Sequence, residues 1–177
     1  MHPVILVNGV PASGKSVVAA ILARCLLLPV LSLDTVKEAL FDHLGIGDRD
    51  HSRLLGKASY QAIFSTIAGF PAGLGAIVDA WHGFQPLEVL QGHLRRAEAG
   101  PVLEVWCHAP PAVVAERYRA RAGHRHEGHP PAAYAEELAA LAARATPLGV
   151  GPTVEVATDR EIDEEALVAA MRRHLST

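Results

Sequence analysis

The sequence predicts an α/β fold in which a parallel sheet carries helices on both faces. Short runs rich in Val, Ile and Leu recur along the chain, segments of helical periodicity stand between them, and Gly, Pro or Asp marks most junctions. The 177 residues suffice for one domain with a sizeable core. With 50% hydrophobic but only 5% aromatic residues, Ala, Leu and Val must carry most of its packing.

Residues 4–7, VILV, are mostly β-branched and read as a buried strand. Residues 15–28 follow as a helix closed by Pro29, then a strand at 30–33 and a helix at 35–43. After a Gly- and Asp-rich loop at 45–50, Ser52 can cap a longer helix that reaches about Gly69. Residues 76–78 give a third strand, ending at Asp79, and 86–99 a helix with Pro near its start and Gly100 after its end. A fourth strand at 102–106 and a helix at 112–122 come next. The following stretch, GHRHEGHPP, is too polar and too rich in Gly and Pro for regular structure. An Ala-rich helix at 131–144, a fifth strand at 154–156 and a helix at 162–175 complete the pattern. No repeat, low-complexity tract or linker interrupts it, so residues 1–177 are expected to form one domain.

The net charge of −3 gives no general electrostatic reason to expect a nucleic-acid backbone or an anionic membrane as partner. Cys25 and Cys107 match no CxxC or zinc spacing and read as buried thiols in a reducing compartment. The first residues lack the basic region and long apolar run of a signal peptide. No apolar stretch reaches the ~18 residues that cross a bilayer. A soluble, cytoplasmic protein is therefore expected.

The most specific motif lies between the first strand and the first helix. Gly9, Val10, Pro11, Ala12, Ser13, Gly14, Lys15 and Ser16 fit G-x-x-x-x-G-K-[ST] at every fixed position, in the strand–loop–helix setting of a P-loop. The glycines let the backbone turn tightly around an anion, and the amides converge on phosphate at the positive end of the helix dipole. Lys15 would place a compact charge near the β- and γ-phosphates, the Ser16 hydroxyl would ligate Mg²⁺, and Val17 would extend the nucleotide site. A slim ammonium reaches over such a loop where a flat guanidinium would not fit.

Asp34 stands at the end of the second strand, with Lys37 one helical turn later. Ligands of open parallel sheets gather outside the carboxyl ends of the strands, so Asp34 belongs to the rim that holds the P-loop. It can accept a proton from an attacking hydroxyl, with Lys37 holding an anionic or polar part of the acceptor, or it can merely cap its helix. Asp79 is a third rim position, reached by the loose pattern of an apolar run followed by Asp, and would orient Mg²⁺ or anchor substrate. Trp81, His82 and Phe84 follow it and would line an acceptor pocket or close the end of the sheet. Arg117 and Arg121, four apart, share a helix face just before the polar segment, where they could close over ATP and neutralise the moving phosphoryl group. Arg119 and Arg125 read as a solvated helix end. His124, His126 and His129 form HxHxxH, but no Cys or carboxylate constellation completes a metal site around them.

Together GVPASGKS, SLDTVK, the third strand ending in Asp79, and APPAVVAERYRAR resemble the small P-loop kinase-like group of AAA-family ATP-binding proteins. That group is similar to polynucleotide kinase, zeta-toxin kinases and chloramphenicol phosphotransferase. The likeness runs from about Val4 to the fifth strand. It implies a three-layer P-loop NTPase fold, a five-stranded parallel sheet in the order 2-3-1-4-5, and a short lid at about residues 122–131. It further implies Asp34 as the acceptor-activating base, Arg117 and Arg121 as a lid pair on the nucleotide and its phosphates, and Thr158 and Asp159 beside the adenine. Two features depart from the group: many relatives carry Arg where this chain has Lys37, and the lid is unusually rich in His.

The expected activity is transfer of the ATP γ-phosphate, with Mg²⁺, to a hydroxyl of a small molecule. Two other readings stay open on sequence. One is a kinase acting on a nucleic-acid 5′-hydroxyl, which the acidic net charge and the lack of a basic stripe interleaved with aromatics disfavour. The other is a regulatory ATPase without an acceptor, which would need a partner surface and a water-positioning residue.

Overall fold

The structure is a computed structural model that describes residues 1–175. Five parallel strands, β1 (His2–Asn8), β2 (Val30–Ser32), β3 (Ala76–Asp79), β4 (Ala99–His108) and β5 (Thr153–Ala157), form one sheet in the order β2-β3-β1-β4-β5. The helices are α1 (Lys15–Leu26), α2 (Leu33–Leu44), α3 (Arg49–Ala68), α4 (Leu87–Arg96), α5 (Pro111–Arg121), α6 (Ala135–Ala142) and α7 (Glu164–Leu175). The α/β class and the strand order expected from the sequence are both found.

The central strand explains the layering. Ile5 and Val7 point into a core formed with Val18 and Leu22 of α1 and Leu167 and Met171 of α7. Val4 and Leu6 point the other way, against Tyr60, Ile63 and Phe64 of α3 and Leu90 of α4. A strand covered on both faces needs apolar residues at every position, hence VILV without alternation. A third cluster joins Val10 and Ala12 of the loop after β1 to Val114 and Tyr118 of α5 and Leu138 of α6. This cluster fastens the loop to the helix pair that overhangs it.

Register then lines up the strand ends. Ser32 pairs with Asp79, and Asp79 with Val7, so β2, β3 and β1 finish side by side. The residues that follow each end meet at one rim.

Several element boundaries differ from the sequence expectation, each for a local reason. Helix α3 starts at Arg49 because Asp48 accepts the His51 N–H at 2.8 Å; Ser52 is not the cap. Helix α2 starts at Leu33, capped by Ser32, which accepts the Thr35 N–H at 3.5 Å. Helix α4 ends at Arg96, and Glu98 turns the chain with φ of 49°, so β4 begins already at Ala99. The expected helix at 131–144 is a 3₁₀ turn, Ala132–Tyr134, leading into the shorter α6.

A buried polar node holds the end of β1. Glu104 of β4 is fully buried and accepts Asn8 Nδ2–H at 2.7 Å, the Leu148 N–H at 2.9 Å and the Gly149 N–H at 3.2 Å. The Asn8 carbonyl oxygen in turn accepts the Gly9 N–H at 2.8 Å and the His82 N–H at 3.1 Å. Every donor here would be left unsatisfied inside the protein without its acceptor. Glu104→Gln places an amide N–H₂ among donors, and should lower stability by about 2 kcal/mol. A urea midpoint below that of the wild type checks it; an unchanged midpoint would mean that the node contributes nothing.

Candidate active site

The loop from β1 to α1 is shaped for an anion. Gly9 has φ of +146° and lies so close to the Cys107 carbonyl oxygen that a Cβ would sit 2.2 Å from it. The same Cβ would fall 2.4 Å from Ser13 Oγ, which is buried and has no hydrogen-bond partner among the described residues. Gly14, with φ of 84°, stands at the N-cap of α1 without any side-chain cap. The first-turn amides of α1, including those of Lys15 and Ser16, have no acceptor within the helix. Unsatisfied donors around a turn with no room for side chains make a phosphate cradle.

Lys15 curls back over the loop, its Nζ 3.1 Å from the Val10 carbonyl oxygen. Burial pulls its pKa down, and the charges of Asp79 and Asp34 oppose the fall. Ser16 Oγ–H donates to Asp79 Oδ2 at 2.8 Å. Burial raises the Asp79 pKa, and Lys15 and the Ser16 hydroxyl oppose the rise. A hydroxyl and a carboxylate at this spacing are hard oxygen donors that suit Mg²⁺.

Beside the cradle lies a cavity of about 600 Å³ lined by Ala12, Gly14, Val17, Ile21, Arg117, Ala120, Arg121, Thr158, Arg160, Glu161, Ile162 and Glu164. Its apolar side chains, Val17, Ile21 and Ile162 among them, suit the face of a flat heterocycle. Arg117 donates to Thr158 Oγ1 at 3.2 Å and to the Thr158 carbonyl oxygen at 2.7 Å. Thr158 Oγ1 itself lies 2.7 Å from the Ser13 carbonyl oxygen, tying the end of β5 to the loop. Asp159, expected at the adenine, is exposed and does not line the cavity; Arg160 and Ile162 do. Neither of the latter carries a motif; only their place after the last strand pointed toward them.

On the opposite side Asp34 sits in the first turn of α2. Because Ser32 is the cap, the Asp34 carboxylate is not spent on the helix end. It accepts from Arg125 Nη2 at 3.3 Å. Lys37 Nζ donates to Ser52 Oγ at 2.9 Å and lies 5.1 Å from the Phe41 ring centroid. Burial lowers the Lys37 pKa, and Asp34 opposes the shift. Arg121 lies between Arg117 and Arg125, whose charges lower its pKa in addition to burial, while Asp34 raises it. Arg125 was expected to be solvated; it is instead held by Asp34, by His129 Nδ1 at 3.0 Å, and by the Tyr118 ring at 5.3 Å. The four-residue spacing of Arg117, Arg121 and Arg125 is visible in the sequence, but α5 ends at Arg121 and Arg125 follows a 3₁₀ turn in extended conformation, so only the fold brings it to Asp34.

The histidines of the lid segment also acquire a role. His129 Nε2 lies 2.6 Å from Glu38 Oε1, and His126 Nε2 lies 3.1 Å from Asp42 Oδ1. His126 stacks on Phe41, with ring centroids 5.5 Å apart. Asp34, Glu38 and Asp42 are four residues apart on α2, one face gripping Arg125, His129 and His126 in turn. No group of three or more His, Cys, Asp or Glu residues suited to a metal ion occurs among the described residues.

Of the residues expected either to line an acceptor pocket or to close the end of the sheet, His82 and Trp81 pack inward. His82 is buried: Tyr60 O–H donates to its Nδ1 at 2.6 Å, and its Nε2 faces the Val78 carbonyl oxygen at 3.4 Å. This arrangement assigns the Nε2–H tautomer and keeps the ring off the rim. Trp81 is half-buried, tilted against Trp106 at 6.2 Å and packed on the cluster around Val10. Both thus pack against the end of the sheet, the second of the two places that their position after Asp79 allows.

The strand order, the cradle and the rim define a P-loop kinase-like fold of the kind that binds nucleotides. More specifically, the chain belongs to the AAA domain family, whose model matches residues 4–148. It is 31% identical to a provisionally assigned kinase from Chloroflexus aurantiacus, over 98% of both chains, with a TM-score of 0.82. It shares its fold with a gluconokinase from Sinorhizobium meliloti (21% identity, 99% and 91% coverage, TM-score 0.60). A shikimate kinase from Acinetobacter baumannii, in complex with shikimate, has the same fold (14% identity, 98% and 92% coverage, TM-score 0.59). None of the curated proteins matches the chain significantly. No helix among the described residues is long and apolar enough to cross a membrane.

Two outcomes test this geometry. Gly9→Ala should abolish measurable ATP binding by calorimetry, since the added Cβ meets the Cys107 carbonyl oxygen and Ser13 Oγ at once. Burial pushes the His82 pKa down to about 3 from its ordinary 6.5, so as pH falls below 6.5 the unfolded chain takes up the proton first. The stability that His82 contributes as a neutral ring is present above pH 6.5 and lost toward pH 3. The urea midpoint should therefore fall on acidification from pH 7.5, and His82→Gln should flatten part of that fall.

Proposed function

We propose that this chain is an ATP- and Mg²⁺-dependent phosphotransferase that acts on a hydroxyl of a small molecule. The observation that carries the proposal is the placement of Asp34. Its carboxylate is free of capping duty, exposed on the rim, and close enough to Lys15 to influence that ammonium. A proton acceptor and a phosphate cradle thus flank one opening. The lid of about residues 122–131 is proposed to cover it, within a single domain.

In this reading the loop amides, the glycines Gly9 and Gly14, and Lys15 hold the β- and γ-phosphates, with Pro11, Ala12 and Ser13 shaping the turn. Ser16, with Asp79 beside it, holds Mg²⁺, which supplies charge neutralisation on the phosphates when bound. Val17, Arg117 and Thr158 enclose the nucleoside. The acceptor lies near Asp34, Lys37 and Asp79. Its hydroxyl oxygen forms a bond to the γ-phosphorus as the bond to the β-bridging oxygen breaks, and the hydroxyl proton passes to Asp34. Arg121 neutralises charge on the group in flight. Most of the acceleration comes from positioning and preorganised charge. The gluconokinase and shikimate kinase relatives, named for small hydroxyl compounds, support the acceptor class.

Asp34→Asn should cut phosphoryl transfer by about 10²- to 10⁴-fold, measured as ADP release with a productive acceptor, while ATP binding persists. Lys15→Ala should impair transfer to every acceptor. Full transfer by the Asp34→Asn protein would remove Asp34 from the role of base.

A further inference from the structure

We propose that the acceptor carries an anionic group, a carboxylate or a phosphate ester, near its reactive hydroxyl, and that Arg125 and Lys37 bind it. This deepens the function proposed above and rests on Asp34 being the proton acceptor.

The basic residues at the rim divide between two tasks. Lys15 is folded over the phosphate cradle and Arg117 is bound to Thr158 at the nucleoside cavity. Arg121 lines that same cavity. Arg125 and Lys37 do neither. They flank Asp34, one from the lid segment and one from a turn further along α2, and neither lines the nucleoside cavity. Two cations beyond the nucleotide, converging on the place where the hydroxyl must sit, match an acceptor with negative charge of its own.

The Arg125–Asp34 contact sharpens this. Arg125 is mostly enclosed, its side chain 19% exposed against 59% for Asp34, and its orientation is fixed by His129 and the Tyr118 ring. His129 accepts the Arg125 N–H at Nδ1, so its Nε2–H is directed at Glu38, and the ring serves as a neutral strut between Glu38 and the guanidinium. The guanidinium stands against Asp34 Oδ2, an oxygen that the acceptor hydroxyl would have to approach. An anionic acceptor offers Arg125 a replacement partner, and the exchange frees Asp34 to take the hydroxyl proton. A neutral acceptor has to break the pair without return. Lys37 can follow the same course, since its partners among the described residues are the neutral Ser52 hydroxyl and the Phe41 face.

Matched pairs test the inference: gluconate with glucose, glycerate with glycerol, ribose 5-phosphate with ribose. Binding to the intact protein saturated with magnesium AMP-PNP is measured by calorimetry, and turnover with magnesium ATP by ADP release. At least one anionic member should bind about tenfold or more tightly than its neutral counterpart, the scale of a charge-assisted contact. Whether the carboxylates or the phosphate ester show the preference identifies which anion the site reads. Arg125→Met should remove the preference by raising KM for the anionic member alone, with ATP affinity retained. A merely structural loss would weaken both members of a pair together. Lys37→Met should reduce the preference in part. The inference is overturned if no anionic probe binds more tightly than its neutral partner, or if the preference survives in Arg125→Met. A preference in binding without turnover on any acceptor would sink the phosphotransferase assignment and leave this anion site standing.

Discussion

A single buried hydrogen bond, from Asn8 to Glu104 at 2.7 Å, decides how β1 ends. The amide must present its N–H₂ to the carboxylate, so its carbonyl oxygen is left to receive Gly9 and His82. That orientation draws the first residue of the phosphate loop and the turn after β3 toward one point. The carboxylate also gathers Leu148 and Gly149 from the segment before β5. Four stretches of chain far apart in sequence are thereby held around the root of the loop. An apolar pair could fill the same space, but it could not satisfy the backbone donors that converge there.

From that root the site divides into two halves of different construction. The nucleotide half is built on the sheet: loop, α1 and the end of β5 are joined by Thr158, and the Gly14 turn presses directly on it. The acceptor half is built from helices and the lid segment, where contacts are polar and partly exposed. Arg117 and Arg121 on α5, and Arg125 just beyond its end, cross from one half to the other. In the proposed reaction these positive charges would supply field as well as cover.

Much of the nucleotide half was legible because its chemistry constrains consecutive residues. The spacing of Gly9, Gly14, Lys15 and Ser16 is a backbone requirement that only a few residue types meet, and VILV before it announces a strand buried on both faces. The acceptor half obeys no such local rule. Arg125 looks like a solvated helix end until the fold brings Asp34, ninety-one positions away, within 3.3 Å. The histidines at 126 and 129 looked unaccountable because their partners, Asp42 and Glu38, lie on a helix far upstream. Glu104 did leave a trace, a lone charge within the apolar run VLEVW, but nothing nearby says what it binds. His82 misled for the opposite reason: a position just past a strand end suggests an exposed ring, and Tyr60 supplies an interior partner that sequence order hides.

Helix α2 places just one residue, Phe41, in full burial. The lid segment lies directly on that ring, with His126 stacked on it and Gly128 so near that a methyl group would collide at 2.4 Å. The helix bearing Asp34 thus rests its one fully buried side chain against this segment, while Leu33 and Val36 join it to the core. If this segment is the lid proposed above, an occupant that displaced it would also loosen α2, so that ligand residence and the stiffness of α2 would be two readings of one equilibrium.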